Sequence, residues 1–118
     1  MIRRVLAVDD EPSILAVIKD ILTAAGYTIT TVTSGAEALR TLEIDTFDVV
    51  ITDLRMPEMS GQELITQLRQ HPTYRKTPIV VLATDADRYE LNHLRVDLKL
   101  SKPFAPRALL NGLNALIG

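Results

Sequence analysis

Short, nearly unbroken apolar runs alternate with helix-like stretches along this chain, and that alternation limits the folds open to it. Residues 3–8, 28–32, 47–52, 78–83 and 98–101 read as strands, the second rich in β-branched side chains. A strand with one wet face alternates apolar and polar residues, whereas runs as continuous as 78–83 predict cover on both faces. Between them, Pro12 suits a first helical turn, Ile14, Ile18, Ile21, Leu22 and Ala25 recur at helical spacing, and Gly26 supplies a stop. Ser34-Gly35-Ala36-Glu37 and Ser60-Gly61-Gln62-Glu63 are capping boxes. The first opens a helix through Ala38, Leu39 and Leu42. The second opens one that turns Leu64, Ile65 and Leu68 inward and closes at His71-Pro72. A weaker helix over 87–94 and a last one carrying Leu109, Leu110, Leu113, Leu116 and Ile117 complete the pattern. Five strands alternating with five helices predict an α/β fold, a doubly wound parallel sheet with helices on both faces. The 118 residues form one domain, 1–118, with no linker or repeat inside it.

Three of the runs end on charge. Val5-Leu6-Ala7-Val8 meets Asp9-Asp10-Glu11, Val49-Val50-Ile51-Thr52 meets Asp53, and Leu98-Lys99-Leu100-Ser101 meets Lys102-Pro103. In a parallel sheet these tips share one edge, the edge where open α/β folds bind their ligands. Crowded carboxylates repel, so the cluster needs a cation, a raised pKa or a basic partner. A hydrated divalent metal with the lysine nearby resolves it best. Taken singly, each piece has a plainer explanation: Asp9, Asp10 and Glu11 as favourable charges at a helix N-terminus, Asp53 as a turn residue, Lys102 as a solvated charge. Together, those explanations require coincidence at three separate strand ends.

Composition narrows the function classes. A net charge of −2 gives no electrostatic footprint for nucleic acid, and Arg3-Arg4 and Arg75-Lys76 are too short to make one. With no cysteine there is neither disulfide nor thiolate metal site. No apolar stretch approaches the roughly 20 residues of a membrane span, and no secretory signal is recognisable, so a cytoplasmic location is expected. His71 and His93 sit in polar stretches and read as solvated surface residues; Met56 and Met59 read as loop packing.

These marks together resemble the receiver domain of response regulators, the phosphoaspartate module of two-component signalling. They are Val8-Asp9-Asp10-Glu11-Pro12, Asp53-Leu54-Arg55-Met56-Pro57 with Gly61, Pro78 at the fourth strand and Lys102-Pro103-Phe104 after the fifth. The resemblance covers essentially the whole chain. It implies a flavodoxin-like sheet of order 2-1-3-4-5, with the acidic site where the order reverses. It implies that Asp53 is the phosphoacceptor and that Lys102 contacts the phosphoryl group. For Mg²⁺ (or Mn²⁺) it implies Asp10 and Asp53 as direct ligands, Asp9 through water and the Arg55 backbone carbonyl. It implies a cis Lys102–Pro103 bond, a histidine kinase or phosphotransfer protein as donor, an output partner of unknown identity, and room for a weak homodimer. Such a domain is no enzyme in the usual sense: it catalyses its own phosphorylation and dephosphorylation.

Two departures stand out. The family's small hydroxyl residue at the end of strand four falls on Ala83, with Thr84 one place later, and its switch aromatic falls on Lys99. Adjacent strand residues face opposite ways, so Thr84 replaces that hydroxyl only if the backbone changes locally. Tyr89 does not obviously replace the aromatic, and the stretch between Ala83 and Lys102 is about three residues short by comparison with the family. Arg55 and Asp85 are oppositely charged where the family flanks the path of attacking water, and a pairing between them would shield an acyl phosphate. The alternative function is a phosphorylation-independent interaction module that kept the fold. A haloacid-dehalogenase-like phosphatase is disfavoured, because its nucleophile sits in an Asp-x-Asp after strand one and its cap has no room here.

Overall fold

The computed structural model describes residues 3–84 and 95–118. Parallel strands β1 (Arg4–Val8), β2 (Thr28–Val32), β3 (Val49–Asp53), β4 (Ile79–Ala83) and β5 (Leu98–Ser101) form one sheet in the order β2-β1-β3-β4-β5. The described helices are α1 (Pro12–Ala24), α2 (Gly35–Ile44), α3 (Gly61–Gln70) and α4 (Pro106–Ile117). The expected helix over 87–94, with Asp85, Tyr89 and His93, lies outside the described residues.

Alternation along each strand divides the interior into two layers. Leu6, Val8, Val50, Ile79, Val81 and Ala83 pack with α2 and α3. Val5, Ala7, Val49, Ile51, Val80 and Leu82 pack with α1 and α4. Every residue of β3 and β4 is buried, as unbroken apolar runs require. The third strand begins at Val49 and takes in Asp53, so Phe47 and Asp48 belong to its approach. In α1 the inward positions are Leu15, Ile18 and Leu22. Ile14 and Ile21 are half-buried at the margin, and Ala25 is exposed as the C-cap instead of facing the core.

Caps follow the sequence closely. Ser34 accepts the Glu37 N–H and Ser60 accepts the Glu63 N–H. The Glu37 carboxylate reaches one residue further back than a capping box prescribes, to the N–H and hydroxyl of Thr33. Gly26 ends α1 at φ +96°, a conformation that L side chains resist. The Lys102–Pro103 bond is cis.

The entry edge of the sheet is closed by two matching aspartates. Asp48 precedes β3; its N–H donates to the Arg4 carbonyl and its carboxylate accepts the Arg4 N–H at 2.7 Å. Asp97 precedes β5 and does the same for Ile79, accepting that N–H at 2.8 Å. Each satisfies a donor at the start of a parallel ladder that would otherwise lack a partner. His71 is half-buried rather than simply solvated: its Nδ1 accepts the Thr73 N–H and its Nε2 stands 3.8 Å from Glu43.

A charged cluster at the carboxyl edge

The strand order reverses beside β1, and the tips of β1 and β3 meet there. Asp9 follows β1 directly. Its N–H donates to the Val32 carbonyl at 3.2 Å, which holds the residue against the sheet, and its side chain is fully buried. One carboxylate oxygen accepts the Glu11 N–H at 2.9 Å; the other lies 3.3 Å from Lys102 Nζ. Asp53 ends β3, also buried, and its Oδ1 accepts the Leu54 N–H at 2.9 Å and lies 3.0 Å from the same Nζ. Lys102 is fixed at its base, where its backbone N–H donates to the Ala83 carbonyl at 3.0 Å. Asp10 is exposed at the mouth. Oxygens of Asp9, Asp10 and Asp53 all lie within 4.8 Å of one another.

The three carboxylates and the ammonium therefore converge. Hard oxygen donors, two buried and one open to solvent, are the donor set a partly hydrated Mg²⁺ or Mn²⁺ accepts, so these residues fit such an ion. Concavities among the described residues also lie elsewhere. One of about 360 Å³ is lined by residues such as Glu43, Asp45 and Tyr74, and one of about 510 Å³ by residues such as Arg40 and Ile44. Neither gathers charge as the strand tips do.

Burial pushes the Asp9 carboxyl above its ordinary 3.8, and the Asp53 charge adds to the rise against the pull of Glu11 N–H and Lys102. Burial alone would lower Lys102, but its hydrogen bond to Asp53 and the charges of Asp53 and Asp9 outweigh that and raise it. The folded state thus holds a proton on Asp9 more tightly than the unfolded chain does. Stability from this group falls as pH rises through the window from 3.8 up to the folded pKa, and the cost is complete above it. Asp9→Asn is therefore expected to stabilise the metal-free protein at pH 7 by about 1 kcal/mol, or about 4–8 °C in Tm. Below pH 3.8 the gain disappears. Thermal melts at both pH values measure it; an equal or negative change at pH 7 contradicts it.

The remaining predicted site residues divide. Arg55 lies in the β3–α3 loop, exposed, two places after Asp53. Its neighbours Leu54 and Met56 are buried, and Met59 packs against the same core, as loop packing requires. Ala83 is buried on the α2–α3 side of the sheet, and Thr84 is exposed just beyond the strand. Val81 pairs with Lys99 and Ala83 with Ser101, so Lys99 stands on that same side of β5, exposed. Sequence reasoning missed the Glu11 and Leu54 amides that hold the carboxylates, as well as Arg69 and Asp97. For Asp97 a signal exists: Phe47-Asp48-Val49 and Val96-Asp97-Leu98 repeat one pattern, apolar–Asp–strand.

Comparison with known proteins places this arrangement. PhoP of Bacillus subtilis, an alkaline phosphatase synthesis transcriptional regulatory protein, is 31% identical over 99% of this chain and 49% of its own length. The transcriptional regulatory protein KdpE of Mycobacterium tuberculosis is 38% identical over 96% of this chain and 50% of its own. The chain spans about half the length of these curated relatives. Among solved structures, the chemotaxis response regulator CheY4 of Vibrio cholerae superposes with TM-score 0.92 at 36% identity, covering 99% of this chain and all of that one. The receiver domain of the sensor histidine kinase PA1611 of Pseudomonas aeruginosa, solved with a magnesium ion in its active site cleft, gives TM-score 0.92 at 30% identity, covering 100% of this chain and 99% of that one. The family model for the response regulator receiver domain matches residues 5–114, from the strand that leads into Asp9 to the helix behind Lys102. By that match over nearly its full length, the chain belongs to the response regulator receiver domain family.

Proposed function

We propose that residues 1–118 act as a phosphoryl-accepting signalling domain in which Asp53 takes a phosphoryl group from a phosphohistidine of a histidine kinase or phosphotransfer protein. The observation that carries this reading is the placing of Lys102 Nζ 3.0 Å from Asp53 and 3.3 Å from Asp9, beside a third carboxylate. An Asp53 oxygen attacks phosphorus. The P–O bond forms, the P–N bond breaks, and the departing imidazole takes a proton from solvent. Water later attacks the same phosphorus, releasing inorganic phosphate and restoring the carboxylate. The domain itself is consumed and regenerated, so it is an acceptor rather than an enzyme with a separate substrate.

Asp10 and Asp53 would hold a divalent cation directly, with Asp9 acting through water and the Arg55 carbonyl contributing. When bound, the ion supplies positive charge against the carboxylates and the phosphoryl oxygens. Lys102 supplies the second positive charge, aimed where negative charge collects in the transition state. The Leu54 N–H bond and the strand end fix Asp53, so its attack starts from one orientation. An exchange with a kinase phosphohistidine belongs in the cytoplasm. No helix among the described residues is long and apolar enough to cross a membrane. The output partner is a protein or a further domain whose binding changes with the state of Asp53.

A second reading, an interaction module independent of phosphorylation, is favoured by the absence of a hydroxyl at Ala83 and of an aromatic ring at Lys99. Incubation with acetyl phosphate and Mg²⁺, followed by intact-protein mass spectrometry, separates the two. The phosphoacceptor reading predicts one added phosphoryl group, lost when the metal is chelated and mapped to Asp53. An unchanged mass supports the interaction module.

A further inference from the structure

We infer that Arg69 is a positioning residue for Lys102, acting through α3 and the root of β5; this rests on the phosphoacceptor reading and deepens it. Helix α3 is fixed at both ends. At its start the Gly61 N–H donates to the Leu54 carbonyl at 2.8 Å, directly behind the acceptor. At its far end one guanidinium gathers three segments. Arg69 Nε donates to the Arg95 carbonyl at 2.9 Å. Its Nη1 donates to the carbonyls of Arg75 and Thr77 at 3.1 and 2.8 Å, and its Nη2 lies 3.2 Å from Asp97 Oδ2. That same carboxylate oxygen accepts the Ile79 N–H, so Arg69 joins the end of α3 to the entries of both β4 and β5. The side chain is only 13% exposed.

Strand β5 needs this anchor. It is four residues long and lies at the sheet edge, hydrogen-bonded within the sheet to β4. Leu98 and Leu100 grip one layer of the core, but its other side presents Lys99 and Ser101. Leu98 and Leu100 fix which face of β5 turns inward, but a four-residue edge strand with a single neighbour has few other contacts to hold its root in place. A displacement of up to about 1 Å at its root, carried along the strand, is enough to lengthen the 3.0 Å approach of Lys102 to Asp53. Helix α3, about 15 Å long for ten residues, is thus a strut from the backbone of Asp53 to the root of the strand that carries Lys102. Lysine cannot replace Arg69, because a point charge does not serve three carbonyls and a carboxylate in fixed directions.

The test is a double-mutant cycle on the rate of Asp53 phosphorylation by acetyl phosphate and Mg²⁺. Arg69→Gln is expected to slow the reaction by about tenfold, the scale of a sub-ångström to 1 Å misplacement. In a Lys102→Ala background the same change is expected to slow it no further. Magnesium affinity is not weakened, because Asp9, Asp10 and Asp53 rest on β1 and β3. Asp48→Ala, which removes the carboxylate that accepts the Arg4 N–H at the β1 entry, is the control: it lowers Tm but leaves the rate unchanged. If Arg69→Gln fails to fold, Asp97→Asn takes its place, since it removes the charge partner while still accepting the Ile79 N–H. Independent slowing by Arg69→Gln and Lys102→Ala, or a wild-type rate in a folded Arg69→Gln protein, overturns the positioning role and leaves the phosphoacceptor reading standing. Absence of any adduct on the wild-type protein removes both.

Discussion

Lys102→Ala slows phosphoryl transfer to Asp53 by about 10²–10³-fold, the usual cost of deleting one donor from a preorganised anion site, while it tightens Mg²⁺ binding. The opposite signs come from one geometry. The ammonium sits between Asp53 and Asp9 and partly neutralises both. A divalent cation must share those carboxylates with it, so removing the lysine removes a competitor. The phosphoryl oxygens, in contrast, lose a positive charge. The Lys102 pKa is raised above its ordinary 10.5, so the stabilisation it brings is fully present below pH 10.5 and is lost only as pH climbs through the higher folded value. The ratio of wild-type to Lys102→Ala rates is therefore flat between pH 6 and 9. Mass-spectrometric time courses and calorimetric Mg²⁺ titrations measure the two effects. Weakened metal binding in the variant, or an unchanged rate, contradicts the shared-site account.

Gly61→Ala is the most damaging single methyl group available near the site. A Cβ there would collide with the Asp53 carbonyl oxygen and come within 2.8 Å of Leu54 Cα. Both are backbone atoms of the residues that carry the acceptor, so neither yields as a flexible side chain would. Overpacking of this kind costs about 3 kcal/mol, equivalent to a Tm loss of at least about 12 °C. The start of α3 also moves off β3, so phosphorylation slows in whatever protein stays folded. Denaturant unfolding and the acetyl phosphate assay measure the two losses. A variant as stable as the wild type would show that α3 can shift without cost, which also removes the support for a strut between Asp53 and β5.

The architecture was legible because its determinants are local. Continuous apolar runs name buried strands whatever their partners, and Ser34 and Ser60 announce the helices they cap. The convergence of Asp9, Asp53 and Lys102 was legible for a topological reason: parallel strands put their ends on one edge. Resemblance supplied the order β2-β1-β3-β4-β5, which no single run encodes. The supports behind the site were not legible. Arg69 looks like any charge at a helix end until the fold brings three carbonyls and Asp97 around it. Tyr74, whose hydroxyl donates to the carbonyls of Leu42 and Asp45 at the end of α2, is hidden in the same way. Ala25 keeps the helical spacing of its neighbours yet caps α1, because spacing alone does not separate the last inward residue from the cap. The proposed Arg55–Asp85 pair involves a residue outside the described part of the chain.

The departures at Ala83 and Lys99 change what a signal can use. With Ala83 buried among apolar neighbours, no hydroxyl meets a phosphoryl group from that position, and Lys99 offers charge where a ring would pack. A ligand shifts a conformational equilibrium only through unequal contacts with the two states. On the phosphoacceptor reading, the contacts that phosphorylation is expected to change are those of Lys102 with Asp53 and Asp9.

The most direct measurement is a crystal structure of the protein soaked with Mg²⁺ and beryllofluoride. The expected result is a magnesium ion against the carboxylates of Asp10 and Asp53 and the Arg55 carbonyl, with the fluoroberyllate on Asp53 and Lys102 turned onto its fluorines. A site in which Lys102 still bridges Asp53 and Asp9, with the ion and the beryllofluoride bound elsewhere or not at all, contradicts it.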